Sequence, residues 1–221
     1  DGPTSAGRVC SFEIVHRVAD QTEGTVSSGT AVCPFPDCGR VIDGEEIRRQ
    51  AQAGEMGEQL YAVVFKRQIE RRLKSGKLGK PKWERAFRAA RLDDDNSSEI
   101  AGRLAEKLPE WEALDFLPSE QVPEGAKTDE PRRYGVTKWL DFFSDRQILV
   151  HGTIVEAFNE LYEEKIPKDD GNGALKAAFI YIALAIDKYR DYNSLMTRWI
   201  YQRGVIANSF DTHDLSMKWG S

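Results

Sequence analysis

The sequence predicts a mainly α fold: a helical domain preceded by a small N-terminal β-ribbon. Three observations lead there. Residues 1–43 are turn-rich, with short β-like runs. The region after about residue 131 carries two long helical patterns. A Ser-x-x-Gln capping box stands at Ser144 and Gln147, before the first of them.

The elements follow in order. In the first segment, 1–43, Phe12 to Val15 is apolar, and Thr25-Val26 and Ala31 to Cys33 bracket a Ser-Ser-Gly turn. Two or three strands fit here, but the segment is too small to bury a core of its own. In the second segment, 44–130, Leu60, Val63, Val64, Arg67 and Arg71 recur at helical spacing until Gly76 and Gly79 end the pattern. Further helices are expected over Lys82–Arg91 and Ser97–Lys107. Pro109, Pro118 and Pro123 then mark an irregular stretch reaching about Pro131. In the third segment, 131–221, the helix opened by Ser144 carries Ile148, Leu149, Val155, Phe158 and Tyr162, and stops near Ile166-Pro167. After a polar linker, a last helix is expected from about Gly173 to Trp199. It is apolar all round between Ala177 and Ile186, which predicts a buried central helix.

Composition narrows the function classes. The 221 residues include 31 Lys and Arg against 36 Asp and Glu, a formal charge of −5, and 40% are hydrophobic. Three cysteines cannot staple a chain of this size, so it is not a disulfide scaffold. The run Ala177–Ile186 is about half of the roughly 20 apolar residues that a bilayer span needs. The start, Asp1 to Thr4, shows no basic flank, no apolar stretch and no Met, so a section of a longer protein is expected. Charge is segregated. From Lys66 to Arg91 there are 11 basic residues and 2 acids; from Leu92 to Glu130 there are 12 acids and 3 bases. Lys66, Arg67, Arg71, Arg72, Lys74, Lys77, Lys80 and Lys82 are therefore candidate phosphate contacts. The alternative is that the acidic segment neutralises them.

Cys33-Pro-Phe-Pro-Asp-Cys38-Gly39 is the sharpest local motif. Two thiolates on a tight turn followed by glycine form half of a zinc ribbon, although a closed zinc site takes four ligands. Cys10 is a further candidate ligand. His16, His151 and His213 form no catalytic set, and no nucleophile elbow or His-Glu-x-x-His occurs. Asp187, Asp191, Ser194 and Arg198 share one face of the expected last helix, with Asn193 beside it and Trp199 following. Such a stripe either anchors the tail through ion pairing or lines a cleft. In the tail, Asn208, His213, Lys218 and Trp219 bring amide, basic and aromatic groups together, suited to nucleic acid or to an ordinary packed loop.

Several stretches, taken together and in this order, resemble the large adenine-specific DNA methylases with an internal zinc ribbon, an anti-phage-associated family. They are Gly29–Pro34 with Cys38-Gly39, Ala53–Leu60, Tyr134–Trp139, Asp141–Leu149, Ala183–Asp187, Asp191–Ser194, Arg198-Trp199, Asn208–Phe210 and His213–Trp219. The resemblance implies zinc, with the first cysteine pair lying before Asp1, and S-adenosylmethionine in the full-length parent only. It implies DNA and the remaining methylase domains as partners, no membrane, and a cytoplasmic location. It places the basic block on phosphates and Asp191, Asn193, Arg198, Trp199, Asn208, His213, Lys218 and Trp219 nearer the active cleft. The family's glycine-rich donor loop and its Asp-Pro-Pro-Tyr-type loop are absent: no Phe-x-Gly-x-Gly and no Pro-Pro occurs. A flipped adenine has nothing to hold it without them. The expectation is a non-catalytic middle section that positions DNA; the alternative is a helical scaffold that binds protein and not DNA.

Overall fold

The computed structural model describes residues 10–166, 171, 173–200, 202–210 and 215. Among these the architecture is mixed, with five α-helices and three small antiparallel sheets rather than a mainly helical fold. The chain forms two compact units: residues 1–44 with 56–96, and residues 45–55 with 97–221.

The first unit is built from strands. β1 (Val26–Ser27), β2 (Thr30–Val32) and β3 (Val41–Ile42) form a three-stranded sheet in the order β1-β2-β3, with Val26 opposite Ala31 and Ala31 opposite Ile42. The expected Ser-Ser-Gly turn joins β1 to β2. Ser28 and Gly29 both have positive φ, 51° and 78°, as a tight hairpin turn requires.

The basic block corrects the sequence reading. Residues expected as helix around Leu60–Arg71 and Lys82–Arg91 form a hairpin of two strands, β4 (Ala62–Ile69) and β5 (Lys82–Ala89). They pair antiparallel along their full length, from Ala62 opposite Ala89 to Ile69 opposite Lys82. Val63, Val64, Phe65, Ile69, Trp83 and Phe87 are β-branched or aromatic residues that suit a pleated surface. Gly76 and Gly79 do not end a helix; they turn the tip, where Arg72 bridges Leu78 and the Leu73 N–H donates to Lys77 O at 2.9 Å.

The second unit holds the packed core. Its helices are α1 (Gly44–Gln52, from Glu45 on), α2 (Ser97–Ala113), α3 (Asp129–Arg133), α4 (Asp145–Lys165) and α5 (Ala174–Asp191), followed by the hairpin β6 (Arg198–Ile200) and β7 (Val205–Ala207). α4 begins as expected: the Ser144 N–H donates to Gln147 Oε1 at 3.0 Å. α2 starts at Ser97 as expected, then runs through Pro109 to Ala113. An interior proline costs a helix about 3 kcal/mol. Burial of Trp111, 0% exposed, with Leu104 and Leu117 offsets that cost. A second core cluster joins Val122, Val136, Phe142 and Met196. It ties the proline-rich stretch to the segment before α4, where the Val122 N–H donates to Thr137 O at 2.8 Å and the Leu140 N–H to Pro118 O at 3.0 Å.

α5 departs from expectation twice. It ends at Asp191, not Trp199, and it lies on the surface rather than at the centre. Phe179 is buried against Phe158 and Tyr162 of α4, with ring centroids 5.6 and 5.1 Å away. Ile180, Tyr181 and Leu184 are 62%, 74% and 57% exposed. An all-apolar helix surface does not itself require burial on every side; one narrow stripe suffices to dock it.

Candidate nucleic-acid interface

The β4–β5 hairpin gathers the cations of the first unit. Lys66, Arg67, Arg71, Arg72, Lys74, Lys77, Lys80 and Lys82 are all exposed, six of them at or beside the tip between the two strands. Arg67 donates to Glu84 Oε1 at 2.6 Å, directly across the pair. Arg88 forms a two-pronged pair with Asp94, so the acidic segment neutralises part of the block. The Arg88 guanidinium, helped by the Arg91 N–H, holds the Asp94 carboxyl at about 2. Among the described residues, no ion pair reaches Lys66, Arg71, Arg72, Lys74, Lys77, Lys80 or Lys82.

Strand geometry sorts this hairpin into two faces. One carries Val63, Phe65, Arg67 and Ile69 opposite Arg88, Ala86, Glu84 and Lys82. The other carries Val64, Lys66 and Gln68 opposite Phe87, Arg85 and Trp83. Along β5, Trp83, Arg85 and Phe87 are exposed while Glu84, Ala86 and Arg88 are half-buried. Sequence reading did not single out Trp83, Arg85 or Phe87. The signal that finds them is the period of two through Lys82–Ala89, which a helical reading conceals.

Cys33 and Cys38 lie in the β2–β3 connection, both half-buried, and Cys10 is exposed; none of the three is in a disulfide. The turn has the expected shape: the Cys38 N–H donates to Phe35 O at 2.9 Å, and Gly39 takes the left-handed bend at φ 57°. A structural zinc takes four ligands. No group of three or more His, Cys, Asp or Glu suited to a metal occurs among the described residues. Cys33 and Cys38 alone therefore do not make a closed site, and no chemistry is assigned to a metal here.

The proposed cleft residues separate into an anchor and scattered positions. Asp191 sits at the end of α5, half-buried. Its Oδ2 accepts from Lys188 Nζ at 2.9 Å and Asn208 Nδ2 at 3.1 Å, and its Oδ1 from the Phe210 N–H at 3.1 Å. Burial pushes the Asp191 carboxyl up, but the Lys188 ammonium, the Phe210 N–H and Asn208 together pull it below its ordinary value. Ser194 and Ser209 share a buried hydroxyl contact of 2.7 Å, and Ser209 Oγ donates to Asp191 O at 2.9 Å. These polar groups satisfy one another, so this is the anchoring arrangement. Its partner is the turn after β7, not an Arg198 on the same helix. With α5 ending at Asp191, the four-residue stripe through Ser194 and Arg198 does not exist as one helical face. Asn193 Nδ2 donates to Tyr189 O at 2.8 Å, and Arg198 and Trp199 lie on β6. His213, Lys218 and Trp219 lie outside the described residues.

A cavity of about 260 Å³ in the second unit is lined by Phe116, Leu140, Phe143, Ile148, His151, Val155 and Arg190, among others; none of the proposed cleft residues lines it. No described helix is long and apolar enough to cross a membrane. Comparison with protein-family models, with curated proteins and with solved structures found no match to this chain.

Proposed function

We propose that this chain is a non-catalytic section of a cytoplasmic, adenine-specific DNA methyltransferase and that it grips DNA through the β4–β5 hairpin. The observation that carries the DNA-gripping part is the exposed basic tip: Arg71, Arg72, Lys74, Lys77 and Lys80 project between two long paired strands. A two-stranded ribbon of this kind has the dimensions to enter a DNA groove. Clustered unpaired cations displace counterions from phosphates, a sequence-independent attraction. The methyltransferase part rests on the ordered sequence resemblance. The donor loop and the base-holding loop would come from other parts of the parent, as would further zinc ligands to join Cys33 and Cys38.

The test is reversal of Arg71, Arg72, Lys74 and Lys77 to Glu, read by mobility shift on duplex DNA across a salt series. The expected result is a large loss of affinity and a salt slope shallower by roughly 3. Unchanged affinity and slope would overturn the DNA reading. Incubation with labelled S-adenosylmethionine and DNA is expected to yield no methylated adenine; its appearance would remove the non-catalytic assignment.

A second reading is favoured by one observation. The exposed stripe Ile180, Tyr181 and Leu184 on α5 is larger than isolated surface apolar residues require. On that reading the chain is a helical scaffold for another protein domain, without DNA contact, and the same mobility shift separates the two.

A further inference from the structure

The cavity of about 260 Å³ in the second unit is enclosed by segments that local chemistry holds in place. α2 ends in a Schellman turn: the Phe116 N–H donates to Trp111 O at 2.9 Å and the Asp115 N–H to Glu112 O at 3.1 Å, with Asp115 in the left-handed region at φ 56°. That turn delivers Asp115 and Phe116 to the cavity. The strap that follows is fixed by the Leu140 N–H on Pro118 O and the Trp139 N–H on Glu120 O, at 3.0 and 3.1 Å. On α4, Ile148, His151, Gly152 and Val155 follow the spacing i, i+3, i+4, i+7, so one helical face forms a wall. Arg190 joins the lining from α5.

The walls are apolar and the rim is charged. Phe116, Leu140, Phe143, Ile148 and Val155 are half-buried, whereas Asp115, Glu120 and Arg190 are exposed. Arg190 pairs with Asp187 on its own helix at 3.2 Å. Asp115 and Glu120 have no ion-pair partner among the described residues. The unmet charge at the rim is therefore negative. Protein interiors leave few voids larger than a water molecule, and an apolar pocket with a few polar groups is where small ligands bind. We propose that this cavity binds a small protonated organic amine, with its apolar body against Phe116, Phe143 and Ile148 and its ammonium at Asp115 and Glu120. Volume sets the size of the body. An apolar cavity of about 150 Å³ holds benzene, so this one suits a molecule of roughly ten non-hydrogen atoms. The site lies wholly in the second unit and stands apart from the reading that the hairpin meets DNA.

The experiment titrates the full 221-residue chain by calorimetry with phenylpropylamine, the neutral phenylpropanol and the anionic phenylpropanoate, which match in shape and differ in charge. The amine is expected to bind saturably, about fivefold or more tighter than the alcohol, with the acid weakest. In the double variant Asp115→Asn, Glu120→Gln the amine should fall to within about twofold of the alcohol, while the alcohol keeps its affinity. Both positions are exposed, and Asn tolerates the left-handed conformation at 115, so this variant retains the fold. Val155→Phe fills the cavity and should abolish binding of amine and alcohol alike. Absence of saturable amine binding overturns the proposal. So does acid binding as tight as the amine's, a preference for the amine that survives in the double variant, or undiminished binding in folded Val155→Phe. The double variant decides the matter even where Val155→Phe does not fold. The mobility-shift test of the hairpin reads a different unit, so the two readings stand or fall separately.

Discussion

At His151 a single ring makes the second unit sensitive to mild acid. Its Nε2–H donates to Asn193 O at 2.9 Å, since a carbonyl can only accept, and the ring meets the edges of Phe143 and Tyr189 at 5.3 and 5.5 Å. Nδ1 is buried and finds no partner among the described residues, so an added proton would sit there unsolvated. Burial pushes the imidazole below its ordinary value, Arg190 adds to this, and the Asn193 carbonyl opposes it without prevailing. The sign follows. The unfolded chain takes up the proton near pH 6.5, while the folded ring resists it. Stability from this group is complete above about pH 6.5 and falls as pH drops toward the lower folded value. Thermal melts between about pH 7 and pH 5 should show a steeper loss for the native protein than for His151→Gln; identical slopes would refute the assignment. His151 stands in the sequence as one of three unconnected histidines. Its burial and its bond to Asn193, 42 positions away, come only from folding α4 against the end of α5. The exposed cations were legible as charges, because Lys and Arg are almost never fully buried. That Arg67 and Arg88 are partly spent on Glu84 and Asp94 was not, since pairing depends on register.

Among the helices, α4 and α2 set opposite requirements on glycine. Gly152 on α4 faces the buried Trp111 ring; an added Cβ would lie 2.2 Å from Trp111 Cζ3. Gly102 on α2 is exposed, and an added Cβ would meet nothing within 4 Å. Gly152→Ala should therefore destabilise by about 1–3 kcal/mol or more from overlap, exceeding the roughly 1 kcal/mol of helix propensity it gains. Gly102→Ala should stabilise by about 0.5–1 kcal/mol, with urea midpoints moving in opposite directions for the two variants. Elements were legible where a local device fixes them. The bond between Ser144 and Gln147 is written in four adjacent residues, and α4 ends at Lys165, close to the expected stop. The hairpin was not legible because Leu60, Val63, Val64, Arg67 and Arg71 fit a period of 3.6, while Val64, Lys66 and Gln68 fit a period of 2 in the same window. Pairing with Lys82–Ala89, which no local pattern contains, decides between them. α5 misled for a related reason. An apolar surface permits burial on any side, and only the Phe179 contact with Phe158 and Tyr162 selects one.

Across the whole molecule, burial is distributed unequally between the two units. Every buried hydrophobic residue among those described, from Ala51 and Leu104 to Met196 and Ala207, belongs to the second unit, and none belongs to the first. The first unit rests on strand pairing and on exposed pairs such as Arg67 with Glu84. A two-stranded ribbon without a covered core is marginal in water. Exposed ion pairs add about 0–1 kcal/mol each. Opening free energies should thus differ along the chain, lowest where apolar contacts are few. Amide exchange is expected to be fast in β4 and β5 and slow in α2 and α4. This bears on function, because a ribbon that is marginal alone gains order from what it binds, and that coupling is measurable. Duplex DNA should slow exchange in Ala62–Ile69 and Lys82–Ala89 and leave Asp145–Lys165 unchanged. Protection of the free hairpin equal to that of α4 would show that the first unit has a stability of its own. Unaltered exchange at saturating oligonucleotide would separate the ribbon from DNA altogether.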